Sequence, residues 1–423
     1  MKIISTTGTK GKTTITRALS YIIKNSGGTT LRVDTDGHYI NEKQKSTLQD
    51  SRNLFVKAPT VCPGKYLITM KKYFPNFTAI LESSVGSNGV HGLGYGFHDI
   101  GIFTNVFEDH LGMGHLQKKS DLANSKSFIF KRINDHGFII FNADDKYVCS
   151  QLKKVPEKRK ATLLPVGINF KYFNIKNHLS KNGEIITLLD NFIIIKSKNK
   201  IEKILDVKKI DWTFGGIFLP SIFNLMFIIG GLYAFNGKKI TKKDLTLIRN
   251  YKLEETGGRL TMLKNKKNVK ILVDYAHEKY SLREIAKLGK KLKRNPKVNR
   301  LLGVVRLAPD RTDSVITETG RFISNSYDDL IIYDKIDGIN RGRFVGKNCS
   351  ITREIGEVSS IFTKGILKNK KRGLVENIII EENAIKRASQ LAKPGDIVVI
   401  ICGDNHKKTI HYIKKYFKAS FIK

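Results

Sequence analysis

Short apolar runs, each closing in a polar or glycine-containing turn, alternate with stretches of helical period through most of this chain. Ile3-Ile4 opens the series, followed by Thr29 to Val33, Thr78 to Leu81, Asp99 to Val106 and Phe138 to Phe141. A helix is predicted from near Lys12 through Tyr21 and Ile22, and another after Asp109-His110. Strands alternating with helices, each strand ending in polar residues, predict a doubly wound α/β sheet with its site along one edge. From about Gln151 to Ile210 the rhythm is lost. Short strands at Ile185 to Leu189 and Phe192 to Ile195, between lysine-rich turns, predict a small β excursion from the same domain. The most apolar stretch, Ser221 to Phe235, is too short for a membrane span and reads as a buried helix.

A second α/β pattern begins near Gly257-Gly258-Arg259-Leu260, where paired glycines suggest a hinge. Its strands are expected at Val269 to Val273, Leu301 to Val305, Asp329 to Tyr333 and Asp396 to Cys402, with helices at Ser281 to Leu292, up to Ile323 and at Glu382 to Leu391. It has no phosphate-type loop of its own. Residues 1–256 and 257–423 are therefore expected to form two domains, within reach of a chain of 423 residues.

The first stretch carries the clearest chemistry. Gly8-Thr9-Lys10-Gly11-Lys12-Thr13-Thr14 joins the first strand to the first helix, the layout of a phosphate-binding loop. Gly8 and Gly11 let backbone N–H groups approach phosphate oxygens. Lys12 can reach the terminal phosphates, and the Thr13 hydroxyl suits a magnesium ligand. Thr6 stands where the general pattern has a glycine. Glu82, just past a buried strand, is placed to hold a metal, with a helix-start acid beside Ser83 and Ser84 as the other reading. Asn105, Asp109 and His110 share another strand end, which favours magnesium or phosphate contact for His110.

Composition narrows the class. Hydrophobic residues at 40% and charged residues at 27% are ordinary for a soluble globular protein. Cys62, Cys149, Cys349 and Cys402 form no close pair, against a disulfide framework or zinc site and for a reducing compartment. With the loop starting at residue 8, no signal peptide and a cytoplasmic location are expected. A net charge of +37 fits a polyanionic substrate, a nucleic-acid partner or a lysine-rich composition spread over every face. The basic runs are scattered, which makes nucleic acid the weaker reading.

Taken together these residues resemble the Mur ligase family. The loop Gly8 to Thr14 lacks the same first glycine, and Thr104-Asn105, Asp109-His110-Leu111, Lys126 and Asn142-Ala143-Asp144-Asp145 follow in the family's order. Gly258-Arg259 and Asp274-Tyr275-Ala276-His277 resemble its interdomain arginine and a second-domain motif. Thr35-Asp36-Gly37, His110 to Gly114, Asp310-Arg311 and Arg341-Gly342-Arg343 point to its cyanophycin synthetase branch, specifically that branch's carboxy-terminal region. The resemblance implies a phosphate-loop central domain, with a mostly parallel sheet and a small β excursion, followed by a Rossmann-like carboxy-terminal domain. It implies ATP- and magnesium-dependent joining of an amino acid to an acidic peptide or polymer through an acyl phosphate. Lys12, Glu82, His110 and Lys126 would be catalytic, with metal on Thr13, Glu82 and His110. Lys126 matches a lysine that many Mur ligases carry as a carbamate. ATP would meet Gly8, Thr9, Lys10, Gly11, Lys12, Thr13, Thr14, Asn105, Asn224, Arg259, Asp274 and His277, some across a domain interface that closes. Asp310, Arg311, Arg341 and Arg343 would hold the amino acid, by bidentate arginine contact with its carboxylate.

The chain also departs from the pattern. It starts at the phosphate loop, without the amino-terminal UDP-sugar domain of the peptidoglycan enzymes or the ATP-grasp ligase of cyanophycin synthetase. A separate ATP-grasp partner enzyme could then supply the acceptor; a homo-oligomer is equally compatible. Pro309 and Glu278 replace residues usual in the family, so the amino-acid pocket is its least determined part. A muropeptide-type UDP-N-acetylmuramoyl peptide ligase is the runner-up. A phosphate-loop NTPase or nucleic-acid-binding module without ligation is the alternative of another class.

Overall fold

The computed structural model describes all residues except 45–58, 85–91, 109–115, 254–257, 294, 296, 310, 337–341, 345–349, 404 and 423. They form two compact units, Met1–Phe107 with Lys118–Tyr251, and Glu108–Gln117 with Lys252–Lys423.

In the first unit one sheet is built from β1 (Lys2–Thr7), β2 (Thr30–Asp34), β3 (Gly37–Ile40), β4 (Lys43–Gln44), β5 (Thr78–Glu82), β6 (His98–Phe103), β7 (Ile133–Asn142), β8 (Thr162–Val166), β9 (Ile185–Leu189), β10 (Phe192–Lys196) and β11 (Ile201–Asp206). Their order across the sheet is β11-β10-β9-β8-β7-β6-β1-β5-β2-β3-β4. The stretch β2-β5-β1-β6-β7-β8-β9 is parallel throughout. Both faces of a parallel sheet are covered, and β1, β2 and β5 are accordingly almost wholly buried. Because β1, β2, β5 and β6 run in one direction, their polar carboxyl ends fall on one edge.

The expected β excursion is no separate layer. β8 pairs with β7 and β9 with β8, so this stretch prolongs the parallel sheet before turning into the antiparallel β9-β10-β11 meander. The strand expected to run to Val106 ends at Phe103, and residues 104–107 leave the ladder to pack on the phosphate loop. The Leu219–Phe235 helix is buried on nearly every side, as its composition implies. Gly231 lets it approach Leu19 of α1 (Lys12–Asn25), where a Cβ would stand 3.0 Å from that side chain.

In the second unit β12 (Thr261–Lys264), β13 (Lys270–Asp274), β14 (Leu301–Val305), β15 (Asp329–Ile332), β18 (Val375–Asn377), β19 (Ile397–Ile401) and β20 (Ser420–Phe421) form a sheet ordered β18-β15-β14-β19-β13-β12-β20. Its central strands are parallel. β16 (Gly342–Phe344) and β17 (Ser350–Thr352) make a separate hairpin.

Two helices of this unit, Asp313–Ile323 and Glu357–Leu367, touch backbone to backbone at Gly320 and Gly365. A Cβ at Gly365 would lie 2.6 Å from the Thr317 carbonyl oxygen, which cannot swing away. Gly365→Ala gains roughly 1 kcal/mol of helix propensity, against an overpacking cost of about 1–3 kcal/mol. Since the obstacle is backbone, we expect a lower urea-unfolding midpoint; a higher one would contradict this packing.

Candidate active site

β1 runs into the loop at Gly8, and α1 begins at Lys12. Gly8 and Gly11 both take positive φ, +137° and +88°. A Cβ on Gly8 would sit 2.0 Å from Thr104 Oγ1, and one on Gly11 would sit 2.3 Å from Asn224 Oδ1. The glycines are thus required by the protein packed behind the loop as well as by any phosphate before it. Asn224 comes from the Leu219–Phe235 helix of the same unit and touches the loop itself. No side chain caps α1 and no acid occupies its first turn, which leaves its positive end available to an anion.

The loop is held by the segment that follows β6. The Thr9 N–H donates to the Asn105 carbonyl at 2.9 Å. The Lys10 N–H donates to Asn105 Oδ1 at 2.8 Å, and Asn105 Nδ2 returns a bond to the Lys10 carbonyl at 3.2 Å. Thr104 Oγ1 also donates to that carbonyl, at 2.7 Å, and the Phe107 N–H donates to Thr9 Oγ1 at 3.0 Å. Asn105 is therefore a clamp on the loop backbone. Behind it, Asn142 Nδ2 donates to the Thr104 carbonyl at 2.8 Å and the Val106 N–H to Asp145 Oδ2 at 2.7 Å. Burial pushes the Asp145 carboxyl up in pKa against the opposing pull of the backbone N–H groups it receives. The neighbouring Asp144 accepts from the N–H groups of Ile168, Asn169 and Phe170, and so secures the turn after β8.

Lys12 Nζ folds over the loop to the Thr9 carbonyl at 3.1 Å. Beside it lies a corner of hard oxygens. Thr13 Oγ1 is 3.4 Å from Thr35 Oγ1, which donates to Glu82 Oε1 at 3.2 Å. Glu82 is the last residue of β5, not the start of a helix, and is only 3% exposed. Its Oε2 is buried with no hydrogen-bond partner. A buried carboxylate oxygen without a donor is costly unless a cation meets it, and an oxygen-only set beside a phosphate loop fits magnesium. Lys126, 3% exposed, closes the Lys119–Ser125 helix of the same unit.

In the second unit Asp274 ends β13, and its Oδ2 accepts the Leu260 N–H at 3.0 Å, tying down the residue next to Arg259. His277 Nδ1 lies 2.9 Å from the Tyr275 carbonyl, and the two rings pack edge to face. Glu278 accepts the N–H groups of Tyr280 and Ser281 at 2.8 and 2.6 Å. Its departure from the family pattern is thus the N-cap of the Lys279–Lys291 helix. Arg311 is buried, and its carbonyl accepts from Arg353 Nη2 at 2.8 Å; Arg353 also pairs with Asp313 and Glu357. His110, Asp310, Arg341 and Gly257 lie outside the described residues, as does the side chain of Arg343.

Sequence reasoning gave no site role to three residues, although Thr35 stood in the Thr35-Asp36-Gly37 motif. Thr35 stands in the Asp34-Thr35-Asp36 turn after β2, a strand-end position that could have drawn notice. Arg353 carries no motif. Arg306, just past β14 and 1% exposed, donates Nε and Nη2 to the Cys402 carbonyl at 3.0 and 2.6 Å, with its guanidinium 4.7 Å from the Tyr275 ring centre. Only its place beyond a buried strand marked it.

A phosphate loop at the carboxyl edge of a parallel sheet, with a threonine–carboxylate corner beside it, defines a nucleotide-binding α/β protein. Residues 6–202 match the Mur ligase middle domain family. Over 97% of its length the chain is 28% identical to a cyanophycin synthetase of a Nostoc species and 29% identical to that of a Synechocystis species. It spans 42% and 43% of those two proteins, less than half of each. It is 24% identical to the UDP-N-acetylmuramoyl-L-alanyl-D-glutamate–2,6-diaminopimelate ligase of Clostridium tetani, covering 97% of this chain and 76% of that one. The fold matches a bifunctional folylpolyglutamate synthase/dihydrofolate synthase from Yersinia pestis, a structure complexed with AMPPNP and Mn ion. There the TM-score is 0.65 at 14% identity, over 98% of this chain and 88% of that one. Among the described residues no helix is long and apolar enough to cross a membrane.

Gly11→Ala would force either the loop or Asn224 to move. We expect ADP affinity, measured by isothermal titration, to fall at least about tenfold, a loss of about 1.4 kcal/mol. Gly27, also at positive φ (+108°) but with open space around its missing Cβ, is the control. Equal ADP affinity in Gly11→Ala and Gly27→Ala would refute the close fit.

Proposed function

We propose that this chain is an ATP-dependent carboxylate–amine ligase of the Mur type, joining an amino acid to an acidic peptide or polymer. The observation that carries the reading is the buried, donorless Glu82 Oε2 beside Thr13 and a phosphate loop, within residues that match the Mur ligase middle domain. Residues 1–256 would bind ATP and residues 257–423 the amino acid. The acceptor carboxylate attacks the γ-phosphorus of ATP, releasing ADP and forming an acyl phosphate. The amine then displaces phosphate, giving the amide, inorganic phosphate and a proton. Magnesium held by Thr13 and Glu82 would neutralise charge on the transferring phosphoryl group. Lys12 would add a fixed positive charge at the same oxygens, and the α1 N–H groups would orient the phosphates. His110 is proposed for a second magnesium, and Lys126 as the residue that carries a carbamate. Arg259, Asp274 and His277 would meet the nucleotide, and Asp310, Arg311, Arg341 and Arg343 the amino-acid carboxylate. A net charge of +37 supports an acidic acceptor by raising its local concentration. A separate ATP-grasp enzyme would supply that acceptor in the cytoplasm.

The similarity to diaminopimelate ligases keeps a muropeptide acceptor as the second reading. We expect the purified protein, screened with each amino acid and with aspartate-rich, glutamate-rich or UDP-muramoyl peptides, to release phosphate and add one amino acid's mass to an acidic acceptor. Lys12→Ala should abolish turnover, whereas Arg343→Ala should keep nucleotide binding and lose ligation. Phosphate release indifferent to every amine, yet stimulated by DNA or RNA, would overturn the ligase reading.

A further inference from the structure

We infer that the Arg17–Asp34 ion pair is a positioning device for the metal corner, fixing the Thr35 hydroxyl against Thr13 and Glu82. The inference rests on reading that corner as the magnesium site. Arg17 lies four residues beyond Thr13 on α1, hence one turn along the same face. It is 8% exposed and reaches across to the turn after β2, donating Nε to Asp34 Oδ2 at 2.8 Å and pairing with Asp36. Asp34 is fully buried. It also receives the Arg32 guanidinium and, at 2.9 Å, the Asp36 N–H. Arg32 in turn pairs with Glu42 at 3.3 Å and covers the Tyr39 ring at 3.8 Å. Two guanidiniums and three carboxylates thus lock both residues flanking Thr35.

Buried charge of this kind is a poor source of net stability, since desolvation offsets most of the attraction. What it does supply here is geometry. Thr35 Oγ1 is the donor that orients Glu82 Oε1, and it does so from a turn pinned to the helix that carries Thr13. Magnesium demands near-octahedral ligands at about 2.0–2.1 Å, so a carboxylate free to rotate holds it less well. Groups that orient metal ligands typically change metal affinity by about 10–100-fold when removed.

The test uses Mn²⁺ as the probe, with free Mn²⁺ followed by electron paramagnetic resonance at fixed ADP. Arg17→Lys keeps the charge but cannot serve two carboxylates through a planar fork. Thr35→Val keeps shape, leaves the ion pairs intact and removes the hydroxyl. Both should weaken Mn²⁺ binding to the ADP complex by about tenfold or more, with metal-free ADP affinity little changed and Thr35→Ser restoring the metal affinity. A role confined to stability would lower the melting temperature without this split. If Arg17→Lys folds poorly, Thr35→Val carries the test. Wild-type protein that takes up no Mn²⁺ with ADP would defeat the metal-site reading beneath the inference. Wild-type uptake matched by both variants would defeat the positioning role alone.

Discussion

The close seating of the phosphate loop is the constraint on which the first unit depends. Two glycines at positive φ bring its backbone onto Thr104 and Asn224, leaving no room for a Cβ at either point. Once seated, the loop is fastened by Asn105 through both its side chain and its carbonyl. Asn142 and Asp145 hold the 104–107 segment in turn. This chain of hydrogen bonds runs from strand end to strand end across β1, β6 and β7. The parallel sheet is therefore what makes the loop rigid, and a rigid loop can present its N–H groups to phosphate with no ordering cost at binding.

The proposed metal corner follows from the same sheet order. β5 lies between β1 and β2, so Glu82 at its carboxyl end falls between the helix start bearing Thr13 and the turn bearing Thr35. Packing buries Thr13 and Glu82 and leaves Glu82 Oε2 without a donor, while Thr35 stays at the surface. In the second unit the carboxyl ends of β13, β14 and β19 gather Asp274, Arg306 and Cys402 by the same logic, with Arg306 bridging two strand ends through the Cys402 carbonyl.

Much of this was legible in the chain. Alternating apolar runs located most strands, because a parallel strand buried on both faces must be apolar along its length. The loop was legible because glycine spacing and Lys12-Thr13 answer directly to phosphate geometry. What stayed hidden depended on who packs against whom. Asn105 was expected to meet nucleotide, and the fold adds that its amide holds the Lys10 backbone. Glu278 looked like a damaged motif, since an N-cap is recognised by the helix it starts. Arg306 and Arg353 match no spacing rule, Thr35 was legible only as part of a motif, and the contacts of all three come from residues far apart in sequence. The lysine-rich 151–210 stretch lost its period because its last strands turn antiparallel at the edge of the sheet.

Oxygen tracing tests most directly the proposed acyl phosphate formed from the acceptor carboxylate. An acidic peptide carrying ¹⁸O in its carboxyl groups would be incubated with the protein, ATP, magnesium and the amino acid that supports turnover. One labelled oxygen should pass to inorganic phosphate for each amide formed. Amide formation that leaves the phosphate unlabelled, or ADP release with no amide at all, would contradict it.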